Sequence, residues 1–224
     1  MKFIGGIDEA GRGAVIGPMV IAGVCIKESD ENYLKEIGVK DSKVLSKRKR
    51  EELASQIEKI AKDIVVVKVR SWKIDYYRKN GVSLDKIEAM KIAQIVDMLS
   101  ADEIYIDSLT SNPRNFEKVI RGFTTSQKKL IVKNYLDESK PVVSAASIIA
   151  KVERDREIEK IKKKVGVDFG VGYSHDKNTI SFLKTLLKEK KLPSFIRKTW
   201  ITVETLKEEI SQRKIKDFIM KRKG

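Results

Sequence analysis

An apolar segment near the N-terminus ends in two adjacent carboxylates and a glycine-flanked arginine. Residues 3–7 read Phe-Ile-Gly-Gly-Ile, and residues 8–13 read Asp-Glu-Ala-Gly-Arg-Gly. The apolar segment predicts a β-strand, on which neighbouring side chains point to opposite faces. Asp8 and Glu9 can therefore serve one site only if the strand ends or bulges there, as Gly11 and Gly13 permit. The segment predicts a strand that stops in a loop suited to chemistry.

Strand and helix patterns alternate along the rest of the chain. The predicted strands are residues 3–8, 18–26, 64–69, 103–107 and 129–133, and the predicted helices are residues 46–62, 83–99, 141–164, 176–190 and 203–221. This alternation predicts an α/β layer fold. The two hairpin-like early strands favour a mixed sheet over a wholly parallel one. In such sheets, functional sites gather where strands end.

The composition favours one main domain with an extended polyanion as its partner. The 224 residues are 41% hydrophobic, which is enough for one substantial core and an appendage. Lys and Arg outnumber Asp and Glu by 47 to 32, a formal charge of +15. That excess suits a nucleic acid, because each neutralised phosphate releases counterions; a solvated, charge-rich surface is the alternative. The single cysteine, Cys25, excludes an internal disulfide, and no apolar run approaches a membrane span. We therefore expect a cytoplasmic protein.

Four acids follow predicted strands or sheet-like segments and lie far apart in the sequence, namely Asp8, Glu9, Asp107 and Asp137. Four carboxylates in one cleft would repel each other. A hard divalent cation relieves that repulsion, because Mg²⁺ and Mn²⁺ favour carboxylate and water oxygens and couple to phosphate. One His and one Cys offer no zinc cluster. Taken singly, Asp107 could cap a turn and Asp137 could be a surface residue, so the prediction depends on the set.

Motifs along the chain resemble those of type 2 ribonuclease H, also called ribonuclease HII. They are residues 6–13 with Gly17-Pro18, Asp41-Ser42-Lys43, Tyr105-Ile106-Asp107-Ser108, residues 143–155, Gly170-Val171-Gly172-Tyr173-Ser174 and residues 196–200. The resemblance covers about residues 3–203 in the family's order, and the last two motifs are similar to its archaeal branch. The family usually has Pro where this chain has Ala14. It also has a proline-containing loop where this chain has Ser174-His175-Asp176. We expect a loop role for His175, with a proton shuttle as the alternative.

The resemblance implies a fold and a reaction. The fold is a ribonuclease H-like mixed five-stranded sheet flanked by helices, with a helical C-terminal extension. We expect a catalytic core in residues 1–177 and a helical subdomain with a basic tail in residues 178–224. The reaction is hydrolysis of the RNA strand of RNA/DNA hybrids and of the phosphodiester 5′ of a ribonucleotide in duplex DNA. It leaves 3′-hydroxyl and 5′-phosphate ends and serves replication and repair. The four acids would hold two Mg²⁺ or Mn²⁺ ions.

The resemblance also implies how the substrate is recognised. Discrimination between RNA and DNA must use the 2′-hydroxyl. The implied contacts are backbone groups of Gly11, Arg12 and Gly13 to the 2′-hydroxyl, the ring of Tyr173 to the adjoining deoxyribose, and the side chains of Lys43, Lys151 and Arg197 to phosphates. The chain would thus sense an RNA-to-DNA junction, and we expect it to act as a monomer.

The basic C-terminal tail contains a pattern that resembles a sliding-clamp binding peptide. The pattern is Gln212, an aliphatic Ile215 three residues later, and then Phe218 and Ile219. A short helical turn would place the apolar side chains in a pocket of the clamp. The alternative is an amphipathic helix that packs on the domain.

Two other functions compete with the ribonuclease. A different nuclease of the same fold, such as a junction resolvase, would share the acids but would not need Gly11 to Gly13 or Tyr173. A basic nucleic-acid binder without activity would leave the acids unexplained, because carboxylates weaken phosphate binding. Replacing the acids would then tighten binding without loss of function.

Overall fold

The computed structural model describes residues 1–39 and 45–221, with side chains described up to residue 212. The strands are β1 Phe3–Ala10, β2 Met19–Lys27, β3 Asp63–Val69, β4 Glu103–Asp107 and β5 Lys129–Lys133. The helices are α1 Glu31–Glu36, α2 Lys47–Ile60, α3 Ser71–Lys79, α4 Leu84–Met98, α5 Pro113–Arg121, α6 Leu136–Ser139, α7 Pro141–Val165, α8 Lys177–Lys188 and α9 Ile201–Lys221.

The strands form one mixed sheet in the order β3-β2-β1-β4-β5. β2 pairs antiparallel with both β1 and β3, whereas β4 pairs parallel with both β1 and β5. The predicted α/β fold with a mixed five-stranded sheet is therefore confirmed. Because β1, β4 and β5 run in the same direction, their carboxyl ends meet at one edge of the sheet.

The first strand is longer than predicted. Asp8, Glu9 and Ala10 continue the ladder with β2, pairing in turn with Ala22, Ile21 and Val20. The expectation that the strand stops or bulges at Asp8 is therefore wrong, because regular pairing with β2 extends two residues further. Regular alternation sends the side chains of Asp8 and Glu9 to opposite faces of the sheet.

Each face of the sheet is covered by its own apolar layer. One layer joins Ile4, Ala22 and Val24 of the sheet to α7 and α2, and the other joins Ile7 and Ile21 to α4 and α5. The start of α7 lies directly on β1. A Cβ added to Gly6 would come within 2.2 Å of the Val142 carbonyl oxygen. Gly6 thus permits a backbone-to-backbone approach that fixes α7 beside Asp8.

The C-terminal helices pack on a third apolar cluster. Leu183 of α8 and Val203 of α9 are buried there against Ile16 and against Ile158 of α7. The predicted helical extension is present, while the domain boundary at residue 177 stays a prediction. Helices α1, α3, α5 and α6 were not predicted because they have four to nine residues, too few to show a helical repeat.

Candidate active site

Two of the predicted acids lie side by side at the carboxyl edge of the sheet. Ile7 of β1 pairs with Ile106 of β4, so the next residues, Asp8 and Asp107, stand at the same level on neighbouring strands. Both side chains are buried. Asp8 shares a face with Ile4 and Asp107 shares one with Tyr105, and both of those residues pack in the layer under α7. The fold therefore brings together two carboxylates that are 99 positions apart in the sequence.

Helix α7 supplies polar partners for Asp8. Ser147 hydrogen-bonds to the Asp8 carboxylate, and Lys151 Nζ donates to Ser147 Oγ over 2.9 Å. Burial raises the pKa of Asp8 to about 7; the Ser147 hydrogen bond opposes that rise, and the charge of Asp107 adds to it. Asp8 is thus a carboxyl group that holds its proton far more strongly than an exposed aspartate does.

Glu9 belongs to a second acidic group, on the face of the sheet opposite to Asp8. Burial raises the pKa of Glu9 well above its ordinary value, and the charges of Glu88 and Asp8 raise it further. Glu88 is buried within α4, where Arg12 Nε donates to its Oε2 over 2.6 Å. Arg12 also pairs with Asp85 of the same helix. The guanidinium of Arg12 therefore ties the loop after β1 to α4.

Asp137 lies next to Asp107 through a tight turn after β5. Tyr135 adopts a left-handed conformation with φ of 61°, which turns the chain from β5 into α6. The backbone N–H of Leu136 then donates to Asp107 Oδ1 over 2.7 Å. Asp137 follows directly and is buried, and its carbonyl accepts from Ser144 Oγ. The sheet edge thus gathers Asp8, Asp107 and Asp137, with Glu9 leaving β1 on the other face.

The donor set fits a hard divalent cation by its chemistry. Every candidate ligand is a carboxylate, the type that Mg²⁺ and Mn²⁺ prefer. The raised pKa values of Asp8 and Glu9 show the cost of burying these charges together, which a cation would remove. Within residues 1–39 and 45–221, no three His, Cys, Asp or Glu side chains already form a group that could hold an ion. The predicted acids would therefore have to draw closer together to hold an ion.

Side chains of the C-terminal segment hydrogen-bond to the backbone carbonyls of the loop from Gly11 to Gly13. Arg197 Nη2 donates to the Gly11 carbonyl over 2.5 Å and Arg197 Nη1 to the Arg12 carbonyl over 2.6 Å. Trp200 Nε1 donates to the Gly13 carbonyl over 3.2 Å. Three successive carbonyls are therefore directed at side chains of the C-terminal segment. Since the C=O and N–H of a trans peptide point in opposite directions, the N–H groups of Arg12 and Gly13 face the other way.

The resemblance implied that the Arg197 side chain contacts a phosphate. The structure does not place it to do so. Its side chain is fully buried, and its guanidinium is directed at backbone carbonyls. Burial lowers the pKa of Arg197 to about 9, and the neighbouring Arg154 contributes. The sequence alone does not show whether a basic side chain is exposed or buried. Arg197 is buried and stabilises the loop from inside the protein.

A cleft of about 520 Å³ opens between this loop and the segment around Tyr173. Its lining includes Glu9, Gly11, Lys151 and Tyr173. Tyr173 is half-buried, with the Arg154 guanidinium 4.5 Å from its ring centroid. His175 stacks on the same ring at 5.5 Å between centroids, so the lone histidine also lines the cleft.

Other predicted residues lie outside the described part of the structure. Lys43 falls in the gap between residues 39 and 45. Gln212 is exposed on α9, whereas the side chains of Ile215, Phe218 and Ile219 are outside the described residues. Their proposed contacts stay predictions.

Sequence reasoning missed several groups that complete the site. They are Asp85 and Glu88 beside Arg12, Ser147 beside Asp8, and Arg154 beneath Tyr173. Glu88 lies within an apolar helical stripe, and that position was the available signal, since a buried carboxylate requires a partner. Ser147 is four residues before Lys151, the spacing that places two side chains on one helix face.

Comparisons with known proteins agree on one family. The sequence profile of the family described as Ribonuclease HII matches residues 5–203. The chain is 41% identical to Ribonuclease HII of Methanosphaera stadtmanae over 201 residues, which is 90% of this chain and 93% of that protein. It is 43% identical to Ribonuclease HII of Methanosarcina acetivorans over 219 residues, 94% of this chain and 98% of that protein.

Solved structures match over most of the chain as well. The ribonuclease H2 of Pyrococcus horikoshii OT3 superposes with a TM-score of 0.84 at 38% identity, covering 92% of this chain and 98% of that one. The RNase HII in the PCNA:RNase HII complex from Archaeoglobus fulgidus gives 0.83 at 42% identity, covering 91% and 96%. Bst-RNase HIII in complex with Mn²⁺ shares the fold, with a TM-score of 0.81 at 19% identity, covering 95% and 71%.

Proposed function

The chain belongs to the ribonuclease HII family, and from that premise we propose that it is a metal-dependent endoribonuclease. It hydrolyses the RNA strand of RNA/DNA hybrids and cuts 5′ of single ribonucleotides in duplex DNA, leaving 3′-hydroxyl and 5′-phosphate ends. Its role is the removal of ribonucleotides and RNA primers in replication and repair. The protein would act in the cytoplasm.

One observation carries the proposal. Asp8 and Asp107 are buried at the same level on adjacent parallel strands, and Glu9, the residue after Asp8, lines a cleft together with Gly11 and Tyr173. Structural carboxylates are seldom buried together without a cation or a base between them, because each raises the pKa of the other. A cleft that combines this acidic edge with a backbone loop suits the cleavage of a phosphodiester.

Asp8, Asp107 and Asp137 would hold the Mg²⁺ or Mn²⁺, and Glu9 would join them after its side chain turns. Two bound ions would activate the attacking water and stabilise the leaving oxygen. Ser147 orients the Asp8 carboxylate, and Lys151 keeps a positive charge beside it for the phosphate. The backbone N–H of Leu136 fixes Asp107 in the same way. The acids serve as ligands in this scheme rather than as general bases.

The backbone of the loop provides selectivity for ribonucleotides. Arg197 and Trp200 hold the carbonyls of Gly11 to Gly13, so the opposite N–H groups can meet a 2′-hydroxyl in the cleft. Glycine at positions 11 and 13 permits a close approach of sugar to backbone. The ring of Tyr173, supported by Arg154, would pack on the following deoxyribose.

The test is cleavage of an end-labelled DNA duplex that contains one ribonucleotide, with an all-DNA duplex and a four-way junction alongside. The wild-type protein, Asp8→Asn and the exposed-acid control Glu51→Gln are each assayed with Mg²⁺, Mn²⁺ or chelator. We expect a metal-dependent cut 5′ of the ribonucleotide in wild type and control, and none in Asp8→Asn. Cleavage of the junction or of all-DNA duplex, or full activity of Asp8→Asn, would contradict the proposal.

We also propose that the tail binds a sliding clamp. The similar Archaeoglobus fulgidus RNase HII was solved in a complex with PCNA, and this chain contains Gln212 with Ile215 and Phe218 at the spacing of a clamp-binding peptide. Helix α9 extends to Lys221, beyond the matched family region that ends at residue 203. A pull-down with an archaeal clamp, comparing the full chain with a chain ending at residue 211, tests this contact.

A further inference from the structure

Helix α3 presents two large aromatic side chains to solvent. Trp72 and Tyr76 are one helical turn apart, with 49% and 56% of their surfaces exposed. Lys73 Nζ lies 5.7 Å from the Trp72 ring centroid and 5.1 Å from that of Tyr76. A single exposed ring is ordinary on a protein surface. Two neighbouring rings with a cation between them form a patch that combines stacking surface with charge.

The charges of α3 are sorted between its two faces. Asp75, its one acid, is buried and accepts hydrogen bonds from Lys198 N over 2.8 Å and from Thr199 N over 3.0 Å. Arg70, which precedes the helix, and Lys79 at its end are exposed. The helix therefore turns its negative charge inward and its positive charges outward. Such a surface complements a polyanion.

Topology places α3 at the same sheet edge as the candidate active site. β3 and β1 both run antiparallel to β2, so their carboxyl ends coincide, and Val20 of β2 pairs with both Lys68 and Ala10. At about 4.8 Å between strands, β3 lies roughly 10 Å from β1. Helix α3 begins two residues after the end of β3, which is the outer strand on the other side of β1 from β4 and Asp107.

A groove connects α3 with the loop that follows Gly13. Its volume is about 350 Å³, and its lining includes Gly17, Pro18, Trp72 and Phe195. Ser71 Oγ, at the start of α3, lies 2.8 Å from the Gly17 carbonyl. The aromatic patch is thus fixed to the same loop system that frames the cleft.

We propose that the outer face of α3, formed by Arg70, Trp72, Lys73, Tyr76 and Lys79, binds one arm of the substrate duplex beyond the cleft. The identity of the duplex as substrate rests on the proposed function. The rings pack on sugars and the cations pair with phosphates. This face lies on the order of 15–20 Å from Asp8, which at 3.4 Å per base pair is about five base pairs from the cut.

The experiment measures the binding of a labelled 24-base-pair duplex with one central ribonucleotide, in chelator, by fluorescence anisotropy. We expect Trp72→Ala/Tyr76→Ala to bind about tenfold more weakly, the scale of truncating an aromatic interface residue to alanine. The matched control is Tyr33→Ala/Lys35→Ala, an exposed aromatic and lysine pair on α1. Since α1 follows the end of β2 at the opposite sheet edge, the control should bind like wild type.

Duplexes with one arm shortened to three base pairs locate the contact. The wild-type protein should bind one of the two shortened duplexes as weakly as Trp72→Ala/Tyr76→Ala binds the full-length duplex. The variant should bind that shortened duplex with the same affinity as the full-length one. The variant Arg70→Ala/Lys73→Ala should reduce the slope of log K against log salt by about 2, one unit for each phosphate contact. If the double aromatic variant fails to fold, the exposed Tyr76→Glu replaces it.

Three results would overturn the proposal: unchanged affinity of the aromatic variant, an equal loss on both shortened duplexes, or a change in oligomeric state with unchanged duplex binding. The third result would assign α3 to contacts between copies of the chain. An all-DNA duplex separates this proposal from the proposed function. The arm contact does not involve the ribonucleotide, so the α3 variant should lose affinity there too, whether or not the protein cleaves.

Discussion

Asp8→Asn should stabilise the metal-free protein at alkaline pH while it abolishes cleavage. Burial holds the pKa of Asp8 at about 7, against an ordinary 3.8. Below pH 3.8 the carboxyl group is protonated in both folded and unfolded chains, so it adds nothing to the pH dependence. Between pH 3.8 and 7 the unfolded chain loses the proton first, and the free energy of unfolding falls with rising pH. Above pH 7 the folded protein bears the full cost of a buried charge.

The size of the effect follows from the two pKa values. A difference of about 3 pKa units corresponds to about 4 kcal/mol at 1.36 kcal/mol per unit. Coupling with Asp107 and side-chain relaxation reduce the observable part of this energy. We therefore expect Asp8→Asn to raise the free energy of unfolding by about 2–4 kcal/mol at pH 8 and by less than about 0.5 kcal/mol at pH 4. Asparagine retains an oxygen that can accept from the Glu9 backbone N–H, now 2.8 Å from Asp8 Oδ1.

Chemical denaturation in chelator at pH 4, 6 and 8 measures this directly. Glu51→Gln is the matched control, because it removes one exposed negative charge from the same basic chain. Adding Mg²⁺ at pH 8 should stabilise the wild type more than Asp8→Asn, since an ion bound only to the folded protein shifts the equilibrium toward it. Equal stability of Asp8→Asn and wild type at pH 8, or a difference that does not change with pH, would show that the buried charge of Asp8 does not destabilise the folded protein.

Three substitutions test the surroundings of the site, and one truncation tests the C-terminal tail. Gly11→Ala should lower the free energy of unfolding by about 2 kcal/mol, because φ is +77° and the new Cβ would lie 2.5 Å from Arg154 Nε. Gly13→Ala has no neighbour within 4 Å of the new Cβ, so stability should stay within about 0.5 kcal/mol while ribonucleotide-dependent cleavage falls; unchanged cleavage would remove Gly13 from substrate recognition. Glu88→Gln should change the free energy of unfolding by less than about 1 kcal/mol at pH 8, because burial raises the pKa of Glu88 in spite of its pair with Arg12 and Arg12 keeps its pair with Asp85; a loss of about 3 kcal/mol would contradict that. Removing residues 212–224 should abolish clamp binding in a pull-down and spare cleavage of the free duplex; retained binding would exclude the tail peptide.

The sequence predicted the sheet and the location of the acids because both depend on local patterns. Asp107 ends a short β-branched and aromatic strand, and Asp137 comes shortly after a second strand, so their meeting at one edge required only that the strands be parallel and adjacent. The end of β1 was predicted wrongly, because glycines permit a strand to end without requiring it. Pairing with β2 is a tertiary interaction, and it extended the strand to Ala10.

Long-range partners were beyond the reach of sequence patterns. Arg197 was assigned to phosphate from the family resemblance of residues 196–200, but tertiary folding buries it, and its guanidinium donates to the Gly11 carbonyl. Glu88 contributes to an apolar helix, and only the position of Arg12 explains its burial. The aromatic face of α3 was missed for a simpler reason: nine residues give too little periodicity to identify a helix.

The metal site can be tested by anomalous diffraction from crystals of the protein soaked in Mn²⁺ with a ribonucleotide-containing duplex bound. We expect two anomalous peaks at the carboxyl edge of the sheet, both within coordination distance of Asp8 and one of them also near Asp107. We also expect the Glu9 side chain to have turned toward the ions. Strong peaks elsewhere, with none beside Asp8 and Asp107, would contradict the assignment of this edge as the catalytic metal site.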